Sequence, residues 1–356
     1  MKSNVICLTG LGDYRKGVMA KLISGSENIK IISGNEAFEK SVKLLSNDDF
    51  KEIKIVENFF FMNRKFMFQS KSLVDCIKAD KLIIDLNPRV INVWLIIIFR
   101  FFLLKKTCTW GHAWARNNKF SILRYLLKKL SNKIIVYTET QRDELLKLDS
   151  RLKVIAAPNS LYSRNEISEN IKYLQPDPLN IIHVGRIVKS KKVDLIIDAF
   201  FKIKNSLHIN SKLIIVGDGE ERDEIKKKIY KLGIQDSVIL TGHVTDSVKL
   251  REYYMSSFLS ISAGYVGLSI TQSFSFGVPM LISKNEPHSP EIEAAIDGVN
   301  AKFFETDSVD DLSNKILDFY EDKVKWLKLR PEIIKKCAEN YSTEKMAERI
   351  LSCFQE

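Results

Sequence analysis

Short apolar runs alternate with amphipathic stretches of helical period along most of this chain. The alternation is typical of parallel β-sheets whose strands are joined by crossover helices. Each half carries its own series of runs, and 356 residues are enough for two domains with separate cores. The predicted strands cover residues 5–9, 29–33, 54–56, 81–85, 106–110, 134–138 and 154–156, then 179–184, 212–217, 238–241, 258–262 and 280–283. We therefore expect two doubly wound α/β domains in tandem. A polar segment over 162–178, which contains two prolines, predicts the linker between them.

The formal net charge of +11 is concentrated in the first half. Residues 1–165 contain 29 Lys+Arg and 15 Asp+Glu, a formal +14, and the rest of the chain is −3. Such an imbalance suits an anionic membrane surface, an anionic lipid-linked substrate or nucleic acid. Nucleic acid is disfavoured because no helix-turn-helix, zinc or aromatic RNA-binding pattern accompanies the charge. The five scattered cysteines and the lack of a secretory signal favour a reducing cytoplasm.

One apolar stretch, residues 90–104, leaves two interpretations open. With Arg100 inside it and Lys105 and Lys106 after it, the stretch is too short and too charged for a spanning helix, which needs roughly 20 apolar residues. It could be a buried helix of the first domain. It could equally be a helix whose aromatic and basic residues lie at a membrane interface, which the charge of the same half supports.

A cluster of cations follows the first predicted strand of the second half, in the segment HVGRIVKSKKVDLIIDAF. The strand ends at Gly185, Arg186 follows, and Lys191 opens a new helix. Two fixed cations near a helix N-terminus can neutralise a bound diphosphate. Taken alone, Lys189, Lys191 and Lys192 also fit a solvated basic loop.

Residues 262–291, SAGYVGLSITQSFSFGVPMLISKNEPHSPE, are similar to the donor-sugar loop and helix of retaining glycosyltransferases, E-G-F-G-L-x-x-x-E-A-x-x-x-G-x-P. Gly264 and Gln272 occupy the two Glu positions. Together with the G-R-x-x-x-x-K-G-like motif before it, in which Lys192 replaces the glycine, this segment makes the chain resemble family 4 glycosyltransferases. The resemblance implies the GT-B fold, two Rossmann-like domains facing a central cleft. It implies domains at 1–165 and 166–356, with the last helix returning to the first.

The resemblance also implies that the second domain binds a nucleotide sugar. The candidate donor-binding residues are Gly185, Gly217, His243, Val244, Gly267, Leu268, Gln272, His288 and Glu291. Gly267 and Leu268 would offer main-chain N–H groups to the phosphates, and the Gln272 carbonyl would keep a ribose contact. Gly264 has no side chain with which to hold a sugar hydroxyl. His243 also fits a surface histidine, and Glu291 a carboxylate in a first helical turn.

The expected catalytic residues are His112, Arg186 and Lys191. His112 lies in WGHAWAR after a predicted strand, at the sheet edge where open α/β sheets bind ligands, although a core histidine between two tryptophans fits the same pattern. Candidate contacts to an acceptor phosphate are Arg15, Lys16 and Arg116. The resemblance implies no metal and no other cofactor, because cations and helix N-termini would stabilise the departing diphosphate.

We therefore expect a retaining, metal-independent glycosyltransferase of bacterial surface polysaccharide synthesis. It would transfer a sugar from a nucleotide diphosphate to a lipid-linked or glycan acceptor, in the cytoplasm at the inner face of the membrane, in contact with anionic lipid. The missing Glu pair leaves an alternative, a non-catalytic protein that binds a sugar nucleotide or glycan. An NAD-dependent enzyme is disfavoured, because the third glycine after Gly10 and Gly12 and the downstream ribose carboxylate are not found.

Overall fold

The computed structural model describes residues 3–26, 28–39, 43–46, 48–50, 52–114 and 122–355. The chain divides into two compact units. Unit 1 consists of Met1–Leu161 and Thr343–Glu356, and unit 2 of Tyr162–Ser342. Each unit is built on a parallel sheet, so the expected fold class, two Rossmann-like α/β domains, is confirmed.

Unit 1 contains a seven-stranded parallel sheet in the order β3-β2-β1-β6-β7-β8-β9, and a separate antiparallel hairpin, β4-β5. Its strands are β1 (Asn4–Leu8), β2 (Ile29–Gly34), β3 (Ile53–Val56), β4 (Asn58–Phe61), β5 (Phe66–Gln69), β6 (Lys81–Asp85), β7 (Thr107–Trp110), β8 (Lys133–Val136) and β9 (Val154–Ala156). Its helices are α1 (Lys16–Ser24), α2 (Leu73–Lys78), α3 (Ile91–Phe102), α4 (Ile122–Leu130), α5 (Glu139–Leu148) and α13 (Thr343–Leu351).

Unit 2 contains a six-stranded parallel sheet in the order β12-β11-β10-β13-β14-β15. Its strands are β10 (Asn180–Val184), β11 (Leu213–Val216), β12 (Val238–Gly242), β13 (Ser257–Ser262), β14 (Met280–Ser283) and β15 (Ala301–Phe304). Its helices are α6 (Arg164–Glu169), α7 (Val193–Ile203), α8 (Arg222–Lys231), α9 (Ser247–Met255), α10 (Ser269–Ser275), α11 (Val309–Glu321) and α12 (Lys323–Asn340).

The sheets are buried on both faces, which explains why their strands are apolar runs rather than alternating ones. In β1, Val5 and Cys7 join one hydrophobic core, while Ile6 and Leu8 join another on the opposite face. Successive side chains of a strand point to opposite faces, so each run supplies both cores at once. The apolar strands therefore form the middle layer of three, with a hydrophobic core on each face of the sheet.

The segment predicted as the interdomain linker, 162–178, is partly helical and belongs to unit 2. Ser163 accepts a hydrogen bond from the Glu166 N–H at 3.3 Å, and the Glu166 carboxylate accepts from the Ser163 N–H at 2.7 Å. This capping box starts α6, which packs on α12. The sequence has the capping-box pattern Ser-x-x-Glu, although the polar composition of 162–178 predicts a linker. The units divide at 161/162 rather than at 165/166.

The chain returns to unit 1 at its last helix. Helix α13 packs on α1 and places Met346, Ala347 and Ile350 in the core that lies under β1. Residues 343–356 are therefore part of unit 1, although they follow unit 2 in the sequence.

Candidate functional site

Each sheet has one place where the strand order reverses. In unit 2 this switch point lies between β10 and β13, and in unit 1 between β1 and β6. Open parallel sheets bind ligands in the crevice at the carboxyl ends of the strands that flank such a point. The residues that follow these four strands are therefore the candidates that matter most.

The loop after β10 is held close to the loop after β11. The Gly185 N–H donates to the Val216 carbonyl at 3.0 Å. Gly217 has φ of 142°, and a Cβ there would lie 1.8 Å from the Gly185 carbonyl oxygen. Glycine is required at this position, because the conformation and the close approach both exclude a side chain. Gly217, which we expected at the donor, thus joins two loops at the edge of the sheet.

Two cations lie on this loop. The Lys191 Nζ donates to the Tyr265 carbonyl oxygen at 2.6 Å and lies 4.8 Å from the centre of the Tyr265 ring. Burial, with a smaller contribution from Arg186, lowers the pKa of Lys191 to about 8. Arg186 is exposed. An anion bound beside these side chains would favour the charged form of Lys191 and offset the cost of its burial.

Lys192 occupies the position at which the family motif has glycine. Its φ of 50° and ψ of 44° are the left-handed conformation that glycine favours, so the loop keeps a glycine-type backbone at this residue. The Lys192 Nζ donates to carboxylate oxygens of Glu286 and Asp307, each at 2.5 Å. These ion pairs tie the loop after β10 to the loops after β14 and β15.

The structure gives a reason for the glycine at position 264. A Cβ on Gly264 would lie 2.1 Å from the Ser190 carbonyl oxygen and 2.9 Å from the Lys191 backbone. The Tyr265 N–H also donates to that Ser190 carbonyl at 3.0 Å. The backbone of the loop after β10 thus closes directly onto the loop after β13. No side chain fits at 264 without displacing main-chain atoms.

Gln272 lies on α10 between two tyrosines. Its Nε2 donates to the Tyr162 hydroxyl at 2.9 Å, and its Oε1 accepts from the Tyr254 hydroxyl at 3.4 Å. Burial raises the pKa of both tyrosines, so each hydroxyl is neutral and can act as donor or acceptor. The Tyr254 ring stacks on Phe276 at 4.7 Å. The amide that we expected at a ribose therefore already has two partners within unit 2.

His288 also has protein partners on both ring nitrogens. Its Nε2 donates to the Ser283 carbonyl at 2.7 Å, and its Nδ1 accepts from the Val266 N–H at 3.2 Å. Burial lowers the pKa of the ring, which keeps it neutral. The structure thus orients His288 toward the protein backbone rather than outward. Glu291 is buried in the 3-10 turn that follows, and the Tyr265 hydroxyl is hydrogen-bonded to Ser289.

Gly267 and Leu268 precede α10. Across the part of the chain that the structure describes, neither of their amides donates a hydrogen bond. Both amides are therefore available to a ligand, and their contact with a donor phosphate stays a prediction. His243 is exposed just after β12, and Val244 is half-buried.

A buried histidine lies beneath the cations. The His183 Nδ1–H donates to the Ile261 carbonyl oxygen at 2.9 Å, which joins β10 to β13. Burial lowers the pKa of His183 to about 4, with a further contribution from Lys191. The imidazole is therefore neutral at physiological pH.

The switch point of unit 1 carries a carboxylate that the sequence prediction missed. Asp85 ends β6, and one of its oxygens accepts hydrogen bonds from both the N–H and the hydroxyl of Thr9, the residue after β1. Burial raises the pKa of Asp85. Both residues end strands that flank the reversal of strand order. Once the strand order is known, the position of Asp85 and Thr9 beside the reversal marks them as candidate site residues.

Arg15 lies in the same unit but is buried. Its Nη2 donates to the Tyr137 hydroxyl at 2.8 Å, and its guanidinium lies 4.5 Å from the Trp110 ring centre. The Arg15 side chain is therefore not accessible at the surface, where we expected it to contact an acceptor phosphate. Lys16 is exposed and pairs with Asp49 at 2.8 Å.

His112 is exposed after β7, and its ring centre lies 4.6 Å from that of Tyr137. Its backbone carbonyl accepts a hydrogen bond from the Arg124 Nη1 at 3.0 Å. Arg116, the third expected acceptor contact, lies outside the described residues.

Comparison with known proteins identifies the family. The family model of the glycosyl transferases of group 1 matches residues 165–340, which is nearly all of unit 2. Unit 2 belongs to the group 1 glycosyl transferases. The cations after β10 and the loop before α10 lie inside the matched range.

Two curated proteins are related to this chain in sequence. Poly(ribitol-phosphate) alpha-N-acetylglucosaminyltransferase of Staphylococcus aureus is 24% identical over 234 residues, which is 65% of this chain and 46% of that protein. Alpha-monoglucosyldiacylglycerol synthase of Streptococcus pneumoniae is 28% identical over 182 residues, 46% of this chain and 41% of that protein. The chain matches less than half the length of either relative.

A solved structure extends the likeness to both units. HepE of Anabaena, crystallised with UDP, has a TM-score of 0.72 with this chain at 16% identity, and the match covers 99% of each chain. At this identity the likeness shows the fold, which is that of a GT-B glycosyltransferase.

Within the described ranges, His, Cys, Asp and Glu side chains form no group of three or more that could hold a metal ion. Metal-independence itself stays a prediction. Among the same residues, no helix combines the length and the apolar character needed to cross a bilayer.

Proposed function

We propose that this transferase moves a sugar from a nucleotide diphosphate to an acceptor, with retention of configuration and without a metal ion. Unit 2 binds the nucleotide sugar at its switch point. The cations after β10 take the diphosphate, and the amides of Gly267 and Leu268 contribute hydrogen bonds. The uridine nucleotide bound by HepE makes UDP the first nucleotide to test.

The observation that carries this proposal is the state of Lys191. It is a partly buried cation whose pKa is lowered to about 8, at the carboxyl end of β10 and near a second cation, Arg186. A structural lysine would be expected to pair with a carboxylate, but the Lys191 Nζ donates to the backbone carbonyl of Tyr265. This arrangement leaves positive charge in place for an anion whose charge grows as the glycosidic bond breaks.

The remaining donor residues divide by what their side chains already contact. Gln272 keeps a second lone pair on Oε1 with which a ribose hydroxyl can bond, while its two tyrosine partners fix its orientation. His288 acts as a positioning residue for the Val266 amide rather than as a donor contact. Gly185 and Gly217 shape the loops.

The acceptor is a lipid-linked or glycan molecule of bacterial surface polysaccharide or glycolipid synthesis. This part rests on the names of the two relatives, one of which acts on a polyol phosphate polymer and the other of which makes a glycolipid. In unit 1, His112 keeps its proposed catalytic role, and Lys16 and Arg116 are the proposed acceptor contacts, together with the Asp85 carboxylate at the switch point.

The first experiment measures UDP binding by thermal shift. Saturation of the wild-type protein at 100 times Kd adds about 2.7 kcal/mol of stability, or about 5–10 °C for a unit of this size. We expect Lys191→Ala and Arg186→Ala to lose most of this shift. Lys189→Ala, in the same turn but exposed, should keep it. Equal shifts in all four proteins would contradict the proposed diphosphate site.

The pH dependence of UDP affinity is a second readout. Because the protonated form of Lys191 binds the anion, the affinity should fall as the pH rises through about 8, well below the range of an ordinary lysine. Lys191→Arg should bind UDP with no such fall. Catalysis is then measured as UDP release from a panel of UDP sugars, with membrane extract as the acceptor source.

A non-catalytic binding protein remains the second candidate, and the closed backbone at Gly264 favours it. The chain cannot place a carboxylate there, because the Ser190 carbonyl occupies the space. UDP binding without release from any sugar nucleotide would select this candidate. Release that is lost in Lys191→Ala would reject it.

A further inference from the structure

Helix α3 has apolar residues on its outer face as well as on its inner one. Its inner face is buried through Val93, Ile96 and Ile97. The outer face carries large apolar side chains at helical spacing, all of them exposed: Ile91, Leu95, Ile98, Phe99 and Phe102. An amphipathic surface helix normally presents polar residues to water on that face. Among the residues that the structure describes, none covers the outer face of α3, although its composition calls for a partner.

The one charge inside α3 does not lie on this face. Arg100 is fully buried, and its guanidinium donates to the backbone carbonyls of Cys76 at 2.9 Å and Ala79 at 2.6 Å. Its Nε donates to the Thr107 hydroxyl at 2.8 Å. Arg100 thus serves the C-terminal end of α2, and the outer face remains purely apolar.

Helix α4 packs on α3 and adds a second exposed stripe. Its members recur at helical spacing: Ile122, Leu123, Leu126 and Leu130. The end of α3 extends the same kind of surface with Leu103 and with Leu104, whose side chain is 94% exposed. We call these exposed residues of α3, of α4 and of 103–104 the α3–α4 surface. Scattered apolar residues are normal on proteins, but contiguous patches mark interaction sites.

Along the part of the sequence that contains α3 and α4, all charged residues are of one sign. Between residues 86 and 138 the sequence contains ten Lys and Arg and no Asp or Glu. Unit 1 as a whole has 30 Lys+Arg and 18 Asp+Glu, a formal +12, whereas unit 2 has 25 and 26, a formal −1. The net positive charge of the protein therefore belongs to the unit that carries the apolar stripes.

This combination separates two possible occupants. A second copy of the chain would bring another +12 unit against the first, which like charges oppose. A bilayer with anionic lipids offers apolar depth for the stripes and negative charge for the lysines, of which Lys78 and Lys106 are exposed at the ends of α2 and α3. The physical properties of the surface match those of an interfacial helix pair.

We propose that the α3–α4 surface docks on a bilayer that contains anionic lipid, with the outer faces of both helices lying in the interface. Phe99 and Phe102 enter the acyl boundary and the surrounding lysines contact the headgroups. Docking needs neither a spanning helix nor a nucleotide. It is therefore tested without turnover, and its failure would leave the sugar-nucleotide site untouched.

The experiment is flotation of the purified full-length chain with lipid vesicles. One set is phosphatidylcholine alone, and the other mixes it with phosphatidylglycerol in equal parts. We expect binding to the mixed vesicles, weakened at 1 M salt because the screening length falls to about 3 Å. The double variant Phe99→Gln with Phe102→Gln should lower the partition coefficient about 100-fold, because each Phe contributes about tenfold. Leu123→Gln on α4 should lower it about fivefold to tenfold.

The matched control is Phe201→Gln, which removes an exposed phenylalanine from unit 2. It should bind vesicles as the wild type does. Circular dichroism and the melting temperature show whether each variant is folded, and hydrogen exchange on vesicles should show protection confined to α3 and α4. Equal binding by the double variant and the control would overturn the proposal. So would a dimer, seen by light scattering, that the double variant dissolves while vesicle binding is absent.

Discussion

Substitutions of Lys192 test the backbone strain at this residue. The glycine variant should be more stable than the alanine variant, which is the reverse of the usual order. Its left-handed backbone costs a residue with a side chain roughly 1–2 kcal/mol, and glycine avoids most of this cost. The ion pairs of the Lys192 side chain stabilise the folded state and so oppose this backbone cost. Glu286 is only 10% exposed, so removal of the lysine leaves a partly buried carboxylate without its partner, whereas the pair with Asp307 is exposed and contributes little.

The magnitudes set an order of stability. Loss of the pair with Glu286 costs about 1–3 kcal/mol after allowance for solvent screening. Lys192→Ala carries this whole cost and retains the backbone strain. Lys192→Gly carries the same cost but recovers about 1 kcal/mol of strain, net of the extra entropy of glycine in the unfolded chain. We expect the wild type to be most stable, the Gly variant next, and the Ala variant about 1 kcal/mol below it.

Urea unfolding, followed by circular dichroism, measures this order, and the melting temperatures of the two variants should differ by about 2–4 °C. The control is the same pair of substitutions at Lys189, which lacks a positive φ. There the Ala variant should be the more stable one, by about 0.5–1 kcal/mol. An Ala variant at 192 that equals or exceeds the Gly variant would refute the assignment of strain to this residue.

Two further predictions concern residues beneath the site. Gly264→Ala should destabilise unit 2 by about 1–3 kcal/mol, because its Cβ meets the Ser190 carbonyl at 2.1 Å. The Cβ of Gly267→Ala meets the Ser289 hydroxyl at 3.2 Å, so this variant should lose less stability. Equal urea midpoints for the two variants would contradict this prediction. His183 has a pKa lowered to about 4, so the unfolded state takes up a proton below about pH 6.5 and the folded state does not; the protein should lose about 3 kcal/mol between pH 6.5 and 4. His183→Asn, which can keep the bond to Ile261, should remove most of this loss, and an unchanged acid sensitivity would show that other groups cause it.

Much of the fold follows from the sequence because buried parallel strands are apolar runs with no competing interpretation. The twelve predicted runs all lie on strands of the two sheets. The hairpin β4-β5 was missed because its strands are short and interrupted by a turn of three residues with positive φ, Met62, Asn63 and Arg64. The edge strand β15 was missed because its four residues, Ala301–Phe304, lie in a mixed polar context.

The candidate site was less accessible to sequence reasoning. The cations after β10 could be recognised from local spacing, since Arg186 and Lys191 lie on one loop. Asp85 and Thr9 are 76 positions apart and meet only when β1 and β6 become neighbours. The closure over Gly264 likewise depends on a loop more than seventy residues earlier. Long-range contacts of this kind leave no periodic pattern in the chain.

The return of α13 to unit 1 has a consequence for the order of assembly during synthesis. Unit 2 is contiguous in sequence and has all its residues once position 342 has left the ribosome. Unit 1 is begun first, yet its core beneath β1 stays open until Met346 and Ile350 are made. The basic, partly apolar unit therefore stays incomplete while the later one is synthesised. Any chaperone or membrane contact that shields nascent α3 and α4 acts during that interval.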